Sequence, residues 1–431
     1  MDNFSLSKLR GLLPSLPLLS PTTDEGFEQK DPMDDTTPGN DKVQAQASQE
    51  DPPKTAAETD PSNDVPTVLD PQPIDESKPK TNLDLINEVD SFPYFQTHPN
   101  LYLKHINTYY AFRSQAYPDT TLGYILPSVA TILNGISGWK IDDDERTLTL
   151  VAGSNEEERS AVVAATTAAM RATGYFSVLK GWRNELYPVY GPAPKKELLF
   201  SIERSASALF GVVSYGVHMT AYTYVSSATE ETTAEEEEEK QTNDEAEGEE
   251  KPQEAQNTSS RKQRQLKLWI PRRAATKQTY GGMLDNSVAG GMATGEKPLE
   301  CVIREASEEA SLPSDLVRAA ARPAGTVSYF HIRDRRAGGE TNLLQPEIQF
   351  VYDLELPEDV RPKPCDDEVE RFYLLSVDEC KEKLAKGEFK PNCAAVLLDF
   401  FVRWGFLTAE EEGDYVDIVS RLHRKFEFPT M

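Results

Sequence analysis

Cysteine is scarce in this chain. Cys301, Cys365, Cys380 and Cys393 are widely and irregularly spaced, and no two form a CxxC or other zinc-like unit. That argues against a zinc ribbon or a disulfide framework and predicts free thiols in a reducing, cytoplasmic setting. No apolar run is long enough to span a bilayer, so no membrane partner is expected. Basic charge is also short: 45 Lys and Arg face 72 Asp and Glu, for a net charge of −27. Nucleic acid needs a basic face and is not an expected partner. The acidity is local, however. Residues 1–82 hold 16 acidic against 7 basic residues and 12 of the 30 prolines, and residues 229–250 hold 12 acidic residues and one lysine. Composition of this kind predicts a disordered tail over 1–82 and a disordered insert over 226–262.

The first twenty residues alternate leucines with Lys8 and Arg10, which offers a mitochondrial or other organelle signal as the alternative to a cytoplasmic protein. Asp2, the shortage of arginine, and the helix breakers Pro14 and Pro17 weigh against it.

What remains is enough for two domains. A small α+β domain is expected over 83–195. Leu85, Ile86, Val89 and Phe92 follow helical spacing, residues 123–136 read as a second short apolar helix, and 147–151 alternate as a strand. Ser154 precedes Glu157 by three, the pattern of a capping box opening a helix to about Met170. Trp182, Arg183, Glu185 and Tyr187 form a polar-aromatic cluster, read as a packed domain boundary. A second domain is expected over 196–431. Val213, Tyr215, Val217, Met219 and Ala221 alternate with polar residues as a half-buried strand, on which the lone His218 is read as structural. A strand over 266–270, ended by Pro271, would complete a hairpin around the acidic insert, because loop closure costs grow slowly with length.

Residues 290–312, GGMATGEKPLECVIREASEEASL, carry the chemistry. Gly290, Gly291 and Gly295 make a flexible loop, and Pro298 suits the first turn of a helix. Leu299, Val302, Ile303, Ala306 and Ala310 mark its apolar face. Glu305, Glu308 and Glu309 stand at i, i+3 and i+4, so their carboxylates share one side. Carboxylates so crowded repel one another unless a cation offsets them, and hard divalent ions prefer such oxygen ligands. Arg304 lies one turn before Glu308 and can orient it. A merely solvated acidic face is the alternative, against which the loop, the arginine and the spacing argue together.

This segment resembles the Nudix box, GX5EX7REUXEEXGU, where U is apolar. Gly290, Glu296, Arg304, Glu305, Ala306, Glu308, Glu309 and Leu312 match in register. Ser311 stands where the box has glycine, at a post-helical position that often needs positive φ. Residues 200–222, 267–291 and 391–406 are similar to blocks of the thiamine-pyrophosphokinase-related Nudix hydrolases, a subgroup with an extra N-terminal domain. The resemblance covers about residues 83–428. Some relatives carry a kinase domain after the Nudix domain, and with Met431 last none is expected here.

The resemblance implies an α/β fold, a Nudix α/β/α sandwich with a mixed sheet. It implies that Glu305, Glu308 and Glu309 bind Mg²⁺ or Mn²⁺, that the Gly290 and Gly291 backbone lies close to metal and phosphates, and that Glu296 and Arg304 hold loop and helix in place. The general base varies in this superfamily, and Glu305 and Glu368 are the candidates, a solvated acidic loop being the other reading of Glu368. Arg272, Arg273 and Lys277 are candidate phosphate ligands or simply exposed basic residues. The implied partner is a small-molecule diphosphate, thiamine diphosphate or its oxo- or oxy-damaged analogues, cut to the monophosphate and phosphate. The alternatives are hydrolysis of nucleotide sugars or other nucleoside diphosphate derivatives, with Tyr329 or Phe330 stacking on a base, a non-catalytic Nudix ligand sensor, or isomerase chemistry.

Overall fold

Thr81 opens the first helix of the computed structural model, which describes residues 78–226, 264–365 and 367–431. The expected tail up to residue 77, with its leucine-rich start, and almost all of the expected insert lie outside the described residues. In α1 (Asn82–Val89) the Thr81 hydroxyl accepts from the Asp84 amide while the Asp84 carboxylate accepts from the Thr81 amide, a reciprocal cap. A second helix follows, α2 (Pro99–Ile106).

A four-stranded sheet comes next. Its strands are β1 (Tyr110–Ser114), β2 (Gly123–Ile125), β3 (Trp139–Asp142) and β4 (Thr147–Leu150), in the order β2-β1-β4-β3, with β1 and β4 parallel. The single helix expected over 123–136 is instead β2 followed by α3 (Pro127–Leu133). Gly123 presses on the backbone of Phe210 and Gly211, where a Cβ would collide. Pro127 then starts the helix, its φ already set for a first turn. The cap of α4 (Glu156–Thr173) also differs by one residue. Asn155 accepts from the Glu158 amide at 2.9 Å, and Ser154 donates through its amide and hydroxyl to the Glu158 carboxylate. The ribbon β5 (Leu186–Tyr190) and β6 (Leu198–Glu203) pairs residues from both sides of position 195, and α5 (Arg204–Phe210) follows. The rings of Phe112, Trp139, Phe200 and Phe210 meet at centroid distances of 5.5 to 5.9 Å, so this part has its own core.

The larger sheet is built on β7 (Ser214–Ser226), with β8 (Arg264–Arg273) and β9 (Val288–Gly291). After α6 (Pro298–Ala310) and α7 (Ser314–Ala320) come β10 (Arg322–Ile332), β11 (Leu344–Glu355) and β12 (Val369–Ser376), then α8 (Val377–Ala385), α9 (Pro391–Arg403) and α10 (Tyr415–Arg421). The order is β10-β11-β7-β8-β12, and β9 pairs with the first half of β7. Only β11 and β7 are parallel, so the sheet is mixed. The hairpin across the insert is present, with Tyr222 opposite Leu268. β8 does not end at Pro271 as expected. It runs on to Arg273 past a register shift in β12, and the Pro271 carbonyl accepts from the Asp285 amide at 3.0 Å.

Alternation decides the layers. Tyr215, Val217, Met219 and Ala221 bury against α6 and α7, whereas Leu268 and Ile270 bury on the other face with residues of α1, α8, α9 and α10. Helices thus cover both faces, the α/β/α arrangement expected. Each fully buried aliphatic side chain in these layers contributes about 1.5–3 kcal/mol.

Candidate active site

Two glycines let a helix close on a strand. Gly290 faces Val217 and Gly291 faces Gly216 in the β7–β9 ladder. A Cβ on Gly290 would collide with the Glu305 carboxyl, and one on Gly291 with the Tyr187 hydroxyl. Close approach, not positive φ, is what requires glycine here. Pro298 begins α6 and Ser311 ends it at φ 53, its amide donating to the Ala306 carbonyl. Serine therefore adopts the left-handed conformation itself, and its hydroxyl donates to the Lys363 carbonyl at 3.0 Å.

Arg304 organises the box. Its Nε donates to Glu296 Oε1 at 2.9 Å and Nη2 to Oε2 at 3.1 Å. Nη1 donates to Glu305 Oε1 at 2.8 Å and Glu308 Oε2 at 3.1 Å, and Nη2 to the Gly291 carbonyl at 3.3 Å. One guanidinium thus ties loop, strand end and helix together. Burial pushes the Glu305 carboxyl up to about 7, with Arg304 drawing it down. Glu309 is half-buried and accepts from the Ala289 amide at 3.0 Å. Burial, then the charges of Glu305 and Asp285, raises its carboxyl well above the ordinary range. Glu308 is exposed.

Among the described residues no three His, Cys, Asp or Glu side chains are drawn together as a metal-ligating group. The crowding expected of Glu305, Glu308 and Glu309 is relieved because Glu305 and the exposed Glu308 share Arg304 and Glu309 turns to a backbone amide. The donor set still fits a hard divalent cation. All three offer carboxylate oxygens, and Glu305, buried, and Glu309, half-buried, are carboxyls whose ionisation desolvation opposes and a cation would favour.

A cavity of about 320 Å³ opens over Gly290, Gly291 and Glu309. Of the basic candidates, Arg273 and Lys277 line it. Arg273 pairs with Asp285 at 2.5 Å and Lys277 with Glu368. Arg272 does not line the cavity: neighbouring strand residues face opposite ways, and its Nε donates to Tyr373 Oη at 3.1 Å and Nη1 to the Gly282 carbonyl at 2.7 Å. Glu368 lines the cavity, but Lys277 and Arg183 hold its carboxyl below the usual range against the effect of burial. Phe330 cannot stack on a ligand there, since it packs on Phe92 at 4.3 Å in the opposite layer. Tyr329 does reach the cavity.

One wall of the cavity carries residues not expected from the sequence. Val178, Arg183, Tyr187, Arg204 and Ser205 come from the region before β7. Arg204 lies over the Tyr187 ring at 5.6 Å, and its charge draws down the Glu305 carboxyl. The cluster of Arg183 and Tyr187 was the available signal. The floor runs across β7 and β11 and was equally unmarked in the sequence. There Glu347 accepts from Tyr329 Oη at 2.6 Å, Gln349 Nε2 at 2.9 Å and Gln345 Nε2 at 3.4 Å, all neutral donors. Among the described residues no Lys, Arg or His forms an ion pair with Glu347. His218 also borders the cavity, with Nδ1 2.7 Å from Asn286 Oδ1.

Comparison with known proteins gives two family matches: a domain of unknown function (DUF4743) over residues 107–214 and the NUDIX domain over 258–393. An uncharacterised protein of Saccharomyces cerevisiae is 35% identical over 259 residues, which is 59% of this chain and 65% of that protein. Nudix hydrolase 20, chloroplastic, of Arabidopsis thaliana is 34% identical over 257 residues, 59% of this chain and 56% of that protein. The chain thus spans less than two thirds of the length of these relatives. A solved structure of the NUDIX domain of Shewanella oneidensis NrtR with ADP ribose is 12% identical, covering 45% of this chain and 90% of that one at a TM-score of 0.29. Residues 258–393 thus match the NUDIX domain, and the chain has Nudix hydrolases among its relatives.

Proposed function

We propose that the chain is a divalent-metal-dependent Nudix hydrolase that cleaves a phosphoanhydride bond of thiamine diphosphate or its oxo- or oxy-damaged analogues, giving the monophosphate and inorganic phosphate. The observation that carries the substrate class is the polarity of the cavity. Arg273, Lys277 and Arg183 line the cavity beside the box, while Glu347 lines it two strands away on the same sheet, in no direct ion pair among the described residues although the charge of Arg333 reaches it. Two strand spacings are about 10 Å. A substrate with an anionic diphosphate at one end and a cationic heterocycle at the other, as in thiamine diphosphate, matches both ends. A nucleotide sugar has no cation to set against Glu347.

Glu305, Glu308 and Glu309 would hold Mg²⁺ or Mn²⁺, which when bound supplies charge neutralisation of the diphosphate and a more acidic water. Arg304 fixes Glu296 and Glu305. Arg273 and Lys277 receive the phosphates, and the Gly290 and Gly291 backbone leaves them room. Water attacks phosphorus, the bridging P–O bond breaks toward the leaving monophosphate, and the water proton passes to a carboxylate. Glu305, held beside the attacked diphosphate by Arg304, is the proposed acceptor. Glu368, held low by two cations, is the weaker base.

A cytoplasmic location agrees with four free cysteines. No helix of the described residues is long and apolar enough to cross a membrane. The Arabidopsis relatives named chloroplastic favour the organelle alternative, which imaging a tagged chain would decide.

The test is phosphate release with Mg²⁺ from oxythiamine diphosphate, thiamine diphosphate, ADP-ribose and a set of nucleoside triphosphates, with Glu309→Gln as control. Preferential turnover of the thiamine compounds, lost in the variant, is expected. Preference for a nucleotide would discard the thiamine assignment, and no turnover of any compound would favour a ligand sensor.

A further inference from the structure

Arg183, Lys277 and Glu368 meet from three separate stretches of chain: before β5, between β8 and β9, and before β12. Each Glu368 oxygen takes a different cation. Oε1 lies 3.3 Å from Arg183 Nη1, and Oε2 pairs with Lys277 Nζ. The lysine side chain is 13% exposed, the glutamate 34% and the arginine 43%, so the pair of cations opens to the cavity mouth. Lys277 also acts electrostatically on Glu309, which places it near the box carboxylates. The backbone of Glu368 is fixed, its carbonyl accepting from the Ala274 amide at 2.9 Å. Its side chain can therefore turn to water without the strand moving.

A carboxylate spanning two cations in this way offers them what two phosphate oxygens would. A terminal phosphate offers a third oxygen and more charge, and arginine grips phosphate through parallel N–H groups. We propose that Glu368 is an internal stand-in for the terminal phosphate of the substrate: it fills an anion site made by Arg183 and Lys277, and a bound diphosphate displaces it. Arg183 is then a substrate-binding residue supplied by the region ahead of the Nudix domain. This rests on the reading that the cavity takes a diphosphate.

Binding of inorganic pyrophosphate to the full chain, without divalent metal, tests it by calorimetry. Removing the competing charge in Glu368→Gln is expected to tighten the dissociation constant roughly tenfold, and Arg183→Ala to weaken it by a similar factor. With thiamine diphosphate, KM should move in the same directions. Unchanged or weaker pyrophosphate binding by Glu368→Gln, with its thermal unfolding like that of the parent, would overturn the proposal and leave a structural tie. Glu368→Ala repeats the test should Glu368→Gln unfold. The two readings fail separately. Tighter pyrophosphate binding without thiamine turnover keeps the anion site and rejects the substrate. Thiamine turnover with unchanged pyrophosphate binding does the reverse.

Discussion

Arg304 clasps Glu296 through two nitrogens, Nε to Oε1 at 2.9 Å and Nη2 to Oε2 at 3.1 Å, eight residues away and across the turn from loop to helix. A lysine has one ammonium and cannot make both bonds while also reaching Glu305. Arg304→Lys is expected to lower kcat by roughly 10- to 100-fold, as loss of a residue that orients metal ligands commonly does. The melting temperature should change little, because the arginine side chain is 36% exposed. Steady-state kinetics beside a thermal melt checks this. A large drop in melting temperature with kcat retained would make Arg304 a structural tie only.

Gly290 and Glu305 define the second expectation. Any Cβ at position 290 meets the Glu305 carboxyl, which is itself buried beneath Arg304. Gly290→Ala forces the helix or the carboxyl to shift, at about 1–3 kcal/mol for overpacking. Activity should fall by at least about 100-fold, since a displacement of about 1 Å at reacting groups has that effect. Chemical denaturation and turnover assays on the variant would show both losses. Full activity would mean that Glu305 does not need its position over Gly290.

These two positions were legible from the resemblance to the Nudix box, and others were not, for physical reasons. The box is local: Gly290 and Gly291 end a strand where a flexible loop was expected, and the arginine and the i, i+3, i+4 glutamates follow within one helix, where sequence distance is spatial distance. The Arg304–Glu308 contact follows from that rule, and it is present at 3.1 Å. Arg183, Tyr187 and Glu347 reach the cavity only through the packing of the preceding region and the β11–β7–β9 register, which no local pattern encodes. Misread elements have local causes. The apolar run over 123–136 fits helix and strand alike, and Pro127 was the mark that divides them. Arg272 and Arg273 look equivalent in sequence, and the pleat sends one to Tyr373 and the other to Asp285.

Glu347 supplies a specificity test. Its hydrogen bonds come from Tyr329, Gln345 and Gln349, which a glutamine could partly keep. Glu347→Gln removes the charge and little volume. The expected result is a roughly tenfold fall in kcat/KM for thiamine diphosphate, since a charged contact is worth about 1.5–3 kcal/mol. A diphosphate with an uncharged ring should be affected far less. Equal losses for both would show that Glu347 supports the site and does not read the ring.

His218 makes stability depend on pH in one direction. Burial lowers its imidazole to about 4, Lys390 adds to that, and Asp285 and Asn286 pull the other way. The folded value lies below the unfolded value of about 6.5, so the unfolded chain binds the extra proton. The contribution is fully present above about pH 6.5 and is lost as pH falls toward 4, reaching about 3 kcal/mol for the whole shift. The neutral ring donates from Nδ1 to Asn286 Oδ1 at 2.7 Å, because the Asn286 amide nitrogen donates to the Cys393 carbonyl. Glutamine cannot be protonated there. His218→Gln should lower stability at pH 7, where the native ring packs best, but narrow its deficit against the parent between pH 6 and pH 4.5. Urea unfolding at pH 7, 6 and 4.5 measures that difference directly. A deficit that stays constant across the range would mean that His218 titrates alike in the folded and unfolded chain.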